Sequence, residues 1–190
     1  MTSRLTALLA VALLALAGCS STPPIVDYDS SVNFNSYRTY AFISEHPLMF
    51  DEGTAGGSPM LEGRLMRTTD KVLQSKGFLK ADDPESADFT VGFTVGARDK
   101  LKVNSYPEPY RPYYGAWGWG APYHAGARSN VDVQQYTEGR LAIDIYDVAG
   151  HKPAWHAAAT KRITDAMRRN PDESVSEAVN SILAGFPPGR

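Results

Sequence analysis

Cysteine occurs once in 190 residues, at Cys19, so no intramolecular disulfide can staple this chain and its fold must rest on an apolar core. Concentrated positive charge is missing too. The net charge is −2 and Arg168-Arg169 is an isolated basic pair, which excludes the phosphate-binding surface that nucleic acid requires. The four histidines, His46, His124, His151 and His156, fall in no HExxH or other close ligand spacing, so no metal is expected. A G-x-S-x-G elbow is absent, as is a glycine-rich phosphate loop opening a helix, and no cofactor is expected. Long hydrophobic runs are absent as well: Leu5 to Ala17 covers thirteen positions, one of them Thr6, short of the about 20 residues that a membrane-crossing helix needs.

What the start of the chain does have is the three-part layout of a secretory signal peptide. Met1 to Arg4 carries one positive charge, the apolar stretch follows, and the small pair Ala17-Gly18 precedes the cysteine. Leu16-Ala17-Gly18-Cys19 resembles the lipobox of bacterial lipoproteins. That resemblance implies removal of residues 1–18, a diacylglycerol on the Cys19 thiol and acylation of the freed amine. A thiol so modified is not available as a nucleophile. One acyl chain holds a protein only marginally, whereas two or three hold it stably. Residues 19–24 then form a lipidated tether in which Ser20 to Pro24 reach no more than about 18 Å, so the folded part hangs close to the bilayer. Ser20 stands where lipoproteins retained in the inner membrane usually carry aspartate, which implies the outer membrane, with the domain facing the periplasm. Loss of the leader removes Arg4 and no acid, taking the net charge from −2 to −3 and leaving 172 residues, enough for one domain with a real core.

Hydrophobic period divides residues 25–188 into strands and two helices. Ile25 to Asp29 and Arg38 to Ile43 predict short strands, and Ser44 to Gly57 a loop. Ser58 as N-cap, Pro59 at N1, the stripe Leu61, Leu65, Val72 and Leu73, and Gly77 as C-cap predict a helix. Phe89, Val91, Phe93 and Val95 alternate with Thr90, Gly92, Thr94 and Gly96, the clearest strand in the chain, and the alternation continues with less fidelity to Val103. Val131 to Thr137 and Arg140 to Asp147 predict a strand pair about a Glu138-Gly139 turn. Pro153 to Arg162 returns after a turn at Val148 to Lys152, completing a meander. A second helix opens with Asn170 as N-cap, Pro171 at N1 and Glu173 at N3, shows the stripe Val175, Val179, Ile182 and Leu183, and stops at Gly185.

The expected fold is therefore α+β, a two-layer sandwich of a mainly antiparallel sheet with two amphipathic helices on one face. The helices should cover Phe89 to Val95 and Leu141 to Ile145. The opposite face would carry Thr90, Gly92, Thr94, Ala142 and Ala158, or Ala157 if the last strand has the other register. Two readings of those small residues stand open: part of this chain folds over them, or they form a docking surface for a partner or a second copy.

Short motifs spread along the chain carry a family resemblance: Val26-Asp27-Tyr28-Asp29, Thr39-Tyr40-Ala41-Phe42, Lys76-Gly77-Phe78, Glu138 to Ile145, Ala154-Trp155-His156-Ala157 and Ala184 to Pro188. In that order and spacing they resemble the bacterial lipoprotein family catalogued as domain of unknown function 4136. The resemblance implies a lipid-anchored single domain with an aromatic, glycine-rich insertion in its middle, and no assigned catalytic residues.

Here that insertion is residues 105–129, with five tyrosines, two tryptophans, four prolines and four glycines. Tyr110, Tyr113, Tyr114, Trp117, Trp119 and Tyr123 are candidate partner-binding residues, because such rings join apolar area to one polar group and suit bilayer interfaces, carbohydrate or proline-rich partners. A loop without fixed order and packing against the open sheet face are the other readings. The functional expectation is a non-catalytic outer-membrane lipoprotein whose periplasmic domain binds another envelope component, a protein or peptidoglycan, in an assembly or integrity role. The alternatives are a cell-wall or lipid hydrolase with carboxylates such as Asp88 and Asp144 on the open sheet face, and a self-associating structural lipoprotein.

Overall fold

The computed structural model describes residues 22–52, 54, 57–106 and 130–189, with the backbone alone for 103–106 and 130–132. The expected signal peptide and Cys19 lie outside the described residues, as does the aromatic segment from residue 107 to residue 129. Seven strands make one open sheet: β1 (Ile25–Tyr28), β2 (Thr39–Phe42), β3 (Leu48–Phe50), β4 (Leu79–Lys80), β5 (Phe89–Tyr106), β6 (Asn130–Asp147) and β7 (Lys152–Arg162). Their order is β1-β7-β6-β5-β2-β4, with β3 also beside β5. The meander β5-β6-β7 and its neighbour β1 are antiparallel. The short strands β2, β3 and β4 join in parallel. The helices are α1 (Leu61–Ser75), α2 (Asp165–Arg169) and α3 (Pro171–Leu183).

Period two in β5 and β6 decides where the core sits. Phe89, Val91 and Phe93 pair with Asp147, Ile145 and Ile143, and the apolar members of these pairs are buried against Leu65 and Leu73 of α1 and Val179, Ile182 and Leu183 of α3. This is the expected two-layer α+β sandwich. Phe186, just past α3, is the aromatic hub: its ring centroid lies 5.3 Å from Phe89, 5.7 Å from Phe78, 5.3 Å from Trp155 and 6.1 Å from Phe34. Edge and tilted ring pairs at such distances add about 0.5–1.5 kcal/mol each beyond area burial.

Helix α1 ends where glycine allows it. Gly77 has φ +91, and the bonds Gly77 N to Gln74 O (2.9 Å) and Phe78 N to Leu73 O (3.1 Å) close the last turn, in the manner of a Schellman cap.

Four expectations need correction. Glu138-Gly139 is not a turn: β6 runs straight through it, pairing Glu138 with Arg98 and Gly139 with Ala97. Gly139 is needed for space, since a Cβ there would stand 3.0 Å from Ile163 Cδ1. The loop expected over residues 44–57 contains β3, whose three residues borrow hydrogen bonds from the already paired β5 and so leave no alternation of their own to read. Helix α1 begins at Leu61, with the Ser58 hydroxyl accepting from Met60 N at 3.3 Å in the preceding turn. Asn170 gives no side-chain cap to α3. Its backbone ends the unexpected α2, which Thr164 caps through Met167 N.

Polar groups brace the sheet and its contact with α1. Tyr40 donates its hydroxyl to Asp70 of α1 at 2.8 Å, and Tyr37 donates to Asp147 at 2.6 Å. Burial, then these acceptors, pushes both phenols above their usual range. Asp88 takes hydrogen bonds from Arg38 N (2.7 Å), Thr39 N (2.8 Å) and the Thr39 hydroxyl (3.0 Å), pinning the start of β2. Burial alone would raise this carboxyl, but the donors outweigh it and hold it below the ordinary carboxylate range.

Asp88→Ala should cost about 1–2 kcal/mol in urea unfolding at neutral pH by orphaning those donors. Because the folded pKa is depressed, the contribution is complete above the unfolded value of about 3.9 and is lost as pH falls through the lower folded value. The gap between parent and variant should therefore close in acid. Thr69 is wholly buried in α1 and its hydroxyl has no partner among the described atoms. Thr69→Val should raise stability by about 1 kcal/mol, read as a higher urea midpoint at unchanged slope.

Candidate binding surface

On the face away from the helices, Thr90, Gly92 and Thr94 follow one another along β5, beside Tyr146, Asp144 and Ala142 of β6. Ala158 of β7 stands next to Ala142, so the register leaves Ala157 in the core. This row is not bare at β5. The connection from β2 to β3 bulges over it, with Ile43 N bonded to Val91 O at 3.0 Å and Phe93 N to Pro47 O at 2.9 Å. A Cβ on Gly92 would lie 3.6 Å from Ile43 Cγ2 and 4.0 Å from Pro47 O and Tyr146 Cε2. Thr90 is accordingly only 7% exposed, and Thr94 is half-buried. Tyr110, Tyr113, Tyr114, Trp117, Trp119 and Tyr123 lie outside the described residues.

The same face carries a polar row: Asp27 of β1, His156 of β7 and Asp144 of β6. His156 Nδ1 and Asp144 Oδ1 share a bond of 2.6 Å. A histidine held by a carboxylate can move a proton, yet its cross-strand neighbours are the two aspartates and not a nucleophile. Burial and the Asp144 charge push the Tyr146 phenol up. Asp88 and Asp144 do not form an acid pair. Asp88 lies four positions along β5 from Gly92, the partner of Asp144, a rise of about 13 Å, and its carboxylate is already engaged with β2. Asp147 is occupied by Tyr37 and by Gly150 N at 2.6 Å. Among the described residues no three His, Cys, Asp or Glu side chains gather to hold a metal, and no helix is long and apolar enough to cross a membrane.

Two hollows flank the row. One of about 320 Å³ mixes Asp51, Glu52 and Glu138 with Arg98, Lys100 and Arg140. A shallow one of about 680 Å³ lies between Ile43, Thr90, Tyr146 and His151. Neither brings a reactive pair together.

A feature that sequence reasoning missed lies at one end of the sheet. The last β6–β7 pair is Glu138 with Arg162, whereas β5 and β6 stay paired for eight more positions, from Asp99–Thr137 to Tyr106–Asn130. A two-stranded ribbon therefore projects about 27 Å beyond the sandwich. Lys100 Nζ to Glu138 Oε2 (2.6 Å), Thr137 Oγ1 to Asp99 Oδ1 (2.7 Å) and the Arg162 guanidinium 5.0 Å from the Tyr136 ring brace its base. Leu101 (67% exposed) and Val133 (54% exposed) stand on the face that continues the core side. The segment 107–129 connects the two strand ends of the ribbon. The readable signal is the alternation running on to Val103, past Arg98, whose β6 partner Glu138 is the last to pair with β7.

The family model described as Domain of unknown function (DUF4136) matches residues 25–188. In structure the chain is similar to a DUF4136 family protein from Bacteroides thetaiotaomicron, at 17% identity and a TM-score of 0.52, over 86% of this chain and 95% of that one. A PDZ domain protein from Parabacteroides distasonis is similar at 16% identity and a TM-score of 0.48, over 94% of this chain and 40% of that one. The PelC dodecamer from Paraburkholderia phytofirmans is similar at 9% identity and a TM-score of 0.45, over 85% and 94%. No curated protein matches the chain. At these identities the first likeness speaks to fold alone.

Two glycines of the β5 row should respond unequally to alanine. Gly92→Ala makes only ordinary contacts and should leave stability within about 0.5 kcal/mol. At Gly96 the Asp51 carboxylate occupies the space a Cβ would need, so Gly96→Ala should cost about 1 kcal/mol. Urea midpoints of the two variants check the contrast.

Proposed function

The chain belongs to the DUF4136 family, and from that premise we propose that it is a non-catalytic lipoprotein, anchored to the outer membrane through Cys19, whose periplasmic domain binds another envelope component. One observation carries the reading. The tether and the ribbon leave the sandwich at the same pole: β1 runs antiparallel to β7, so the chain before Ile25 heads toward Arg162, where the ribbon begins. Thr22 stands three residues from Cys19, at most about 11 Å. An anchor there holds the ribbon, and the aromatic segment it carries, against the envelope.

The ribbon has the physical character of a binding arm. Two strands without a third are marginal in water, and among the described residues the strand partner of β5 beyond Val95 and of β6 beyond Glu138 is the other of the two, with Ile163 N bonded to Thr137 O (2.8 Å) and Ala97 N to the Thr54 hydroxyl (3.1 Å) at the base. A partner strand laid along this edge would add main-chain hydrogen bonds and cover Leu101 and Val133. The same exposed strand edges support self-association as a second reading, which sedimentation of the delipidated domain separates from binding to a foreign partner.

Labelled palmitate should enter the full chain, whereas Cys19→Ser should take up none and move from the membrane fraction to the soluble periplasm. Replacing residues 106–124 by a short Gly-Ser link in that soluble form should lower its retention on peptidoglycan sacculi or on phospholipid vesicles at least tenfold. Unchanged retention on both would remove the aromatic arm from the function, and unlabelled Cys19 would remove the anchor.

A further inference from the structure

Among the described residues, the core is not sealed at the pole where tether and ribbon meet. Leu65 is buried there, but Leu61, Val95, Leu141, Ala159 and Val175 around it are only half-buried. They surround a cavity of about 170 Å³ between α1, α3 and strands β5 to β7. Gly139 adds to the space by lacking a side chain, and Met167 stands at the rim, a residue whose flexible thioether adapts to what it packs against. Closed apolar cavities of about 150 Å³ take up apolar molecules; this hollow is mostly aliphatic but open on one side, where Thr22, Arg140 and Lys161 also line it. Filling this one restores dispersion contacts that five half-buried side chains lack.

We propose that this cavity receives the first methylenes of one acyl chain carried on Cys19, since about 170 Å³ holds only part of such a chain. The assignment rests on the lipoprotein reading above and adds to it where the lipid goes. Thr22 is itself part of the cavity wall, because extending the Ile25–Ala158 register backwards sets it opposite Lys161. Cys19 is three residues further on, so the root of its lipid is confined to within about 11 Å of the mouth. Lys161, which lines that mouth together with Arg140, is held by Glu177 of α3 at 3.1 Å. A lipidated terminus that lends one chain to the domain keeps the rest in the bilayer, and the domain is drawn down onto the membrane at this pole.

The full chain is made in cells fed a diazirine palmitate analogue, purified in detergent, irradiated and mapped by mass spectrometry. The Cys19 peptide should carry the analogue bridged to peptides of the same chain containing Leu61, Leu141 or Val175. Leu141→Trp and, on the facing helix, Val175→Phe should each fill the cavity and reduce those bridges at least tenfold with labelling of Cys19 unchanged, whereas Leu141→Ala should keep them. Labelled Cys19 bridged only to detergent, bridges indifferent to both filling variants, or bridges between isotopically distinct copies would each overturn the proposal while leaving the anchor intact. Free analogue captured in the cavity by Cys19→Ser as strongly as by the lipidated chain would overturn it too, in favour of an untethered fatty acid. Unlabelled Cys19 would overturn the lipoprotein reading itself.

Discussion

The unbroken pairing of β5 with β6, eighteen residues against eighteen, is the constraint from which the rest of the molecule follows. Because side chains alternate strictly along a strand, this ladder assigns every residue of both strands to one face at once. Phe89 to Phe93 and Ile143 to Ile145 must face the helices; Thr90, Gly92, Ala142 and Asp144 must face away. The helices and β7 are shorter than the ladder. Where they stop, at Arg162 and at Leu61 and Pro171, the ladder continues alone and the core loses its cover. Ribbon and cavity are two consequences of the same mismatch in length.

Acidic side chains in this fold are spent on architecture. Asp88 fixes the entry to β2, Asp147 anchors the Tyr37 hydroxyl and the β6–β7 turn, and Asp70 joins Tyr40 to Lys80. Asp29 takes Lys152 at 2.7 Å together with Ser31 N, and these bonds hold its carboxyl well below the usual range. A carboxylate saturated with donors is a poor proton acceptor at neutral pH. On the opposite sheet face, the close pair formed around His156 among the described residues is the one with Asp144.

Those elements that bury a full stripe were legible in the sequence: the alternation from Phe89 to Val95, the helical stripes of α1 and α3, and Gly77 as the stop of α1. What was not legible depends on neighbours far along the chain. Glycine signals either a turn or a close approach, and only Ile163, some two dozen residues beyond Gly139, decides for the second. Leu48–Phe50 become a strand because β5 offers free hydrogen-bonding groups there, not because their own pattern demands it. Of the candidate surface, the face of Thr90, Gly92 and Thr94 followed from parity, whereas its cover by Ile43 and Pro47 required the bulged path between β2 and β3. The aromatic segment announced itself by composition; the ribbon that carries it did not, since its length is set by what fails to pair with it.

If the chain is anchored at Cys19 as proposed, tether and ribbon lengths together limit how it can sit. A pole within about 11 Å of such a lipid could not point a ribbon of about 27 Å straight at the bilayer unless the tip passed the headgroups. The outer edges of the ribbon carry backbone N–H and C=O groups outside the β5–β6 ladder, and in hydrocarbon each such group costs several kcal/mol. Lying along the surface avoids that cost. In that pose Leu101 and Val133 share one face of the ribbon while Arg98, Lys100 and Lys102 share the other, the two-sided character that suits an interface between lipid and water. Tyrosine and tryptophan rings are at their most stable in that same layer, so on the proposed anchor the composition of residues 107–129, the amphipathic ribbon that bears them and a short tether would all favour one orientation.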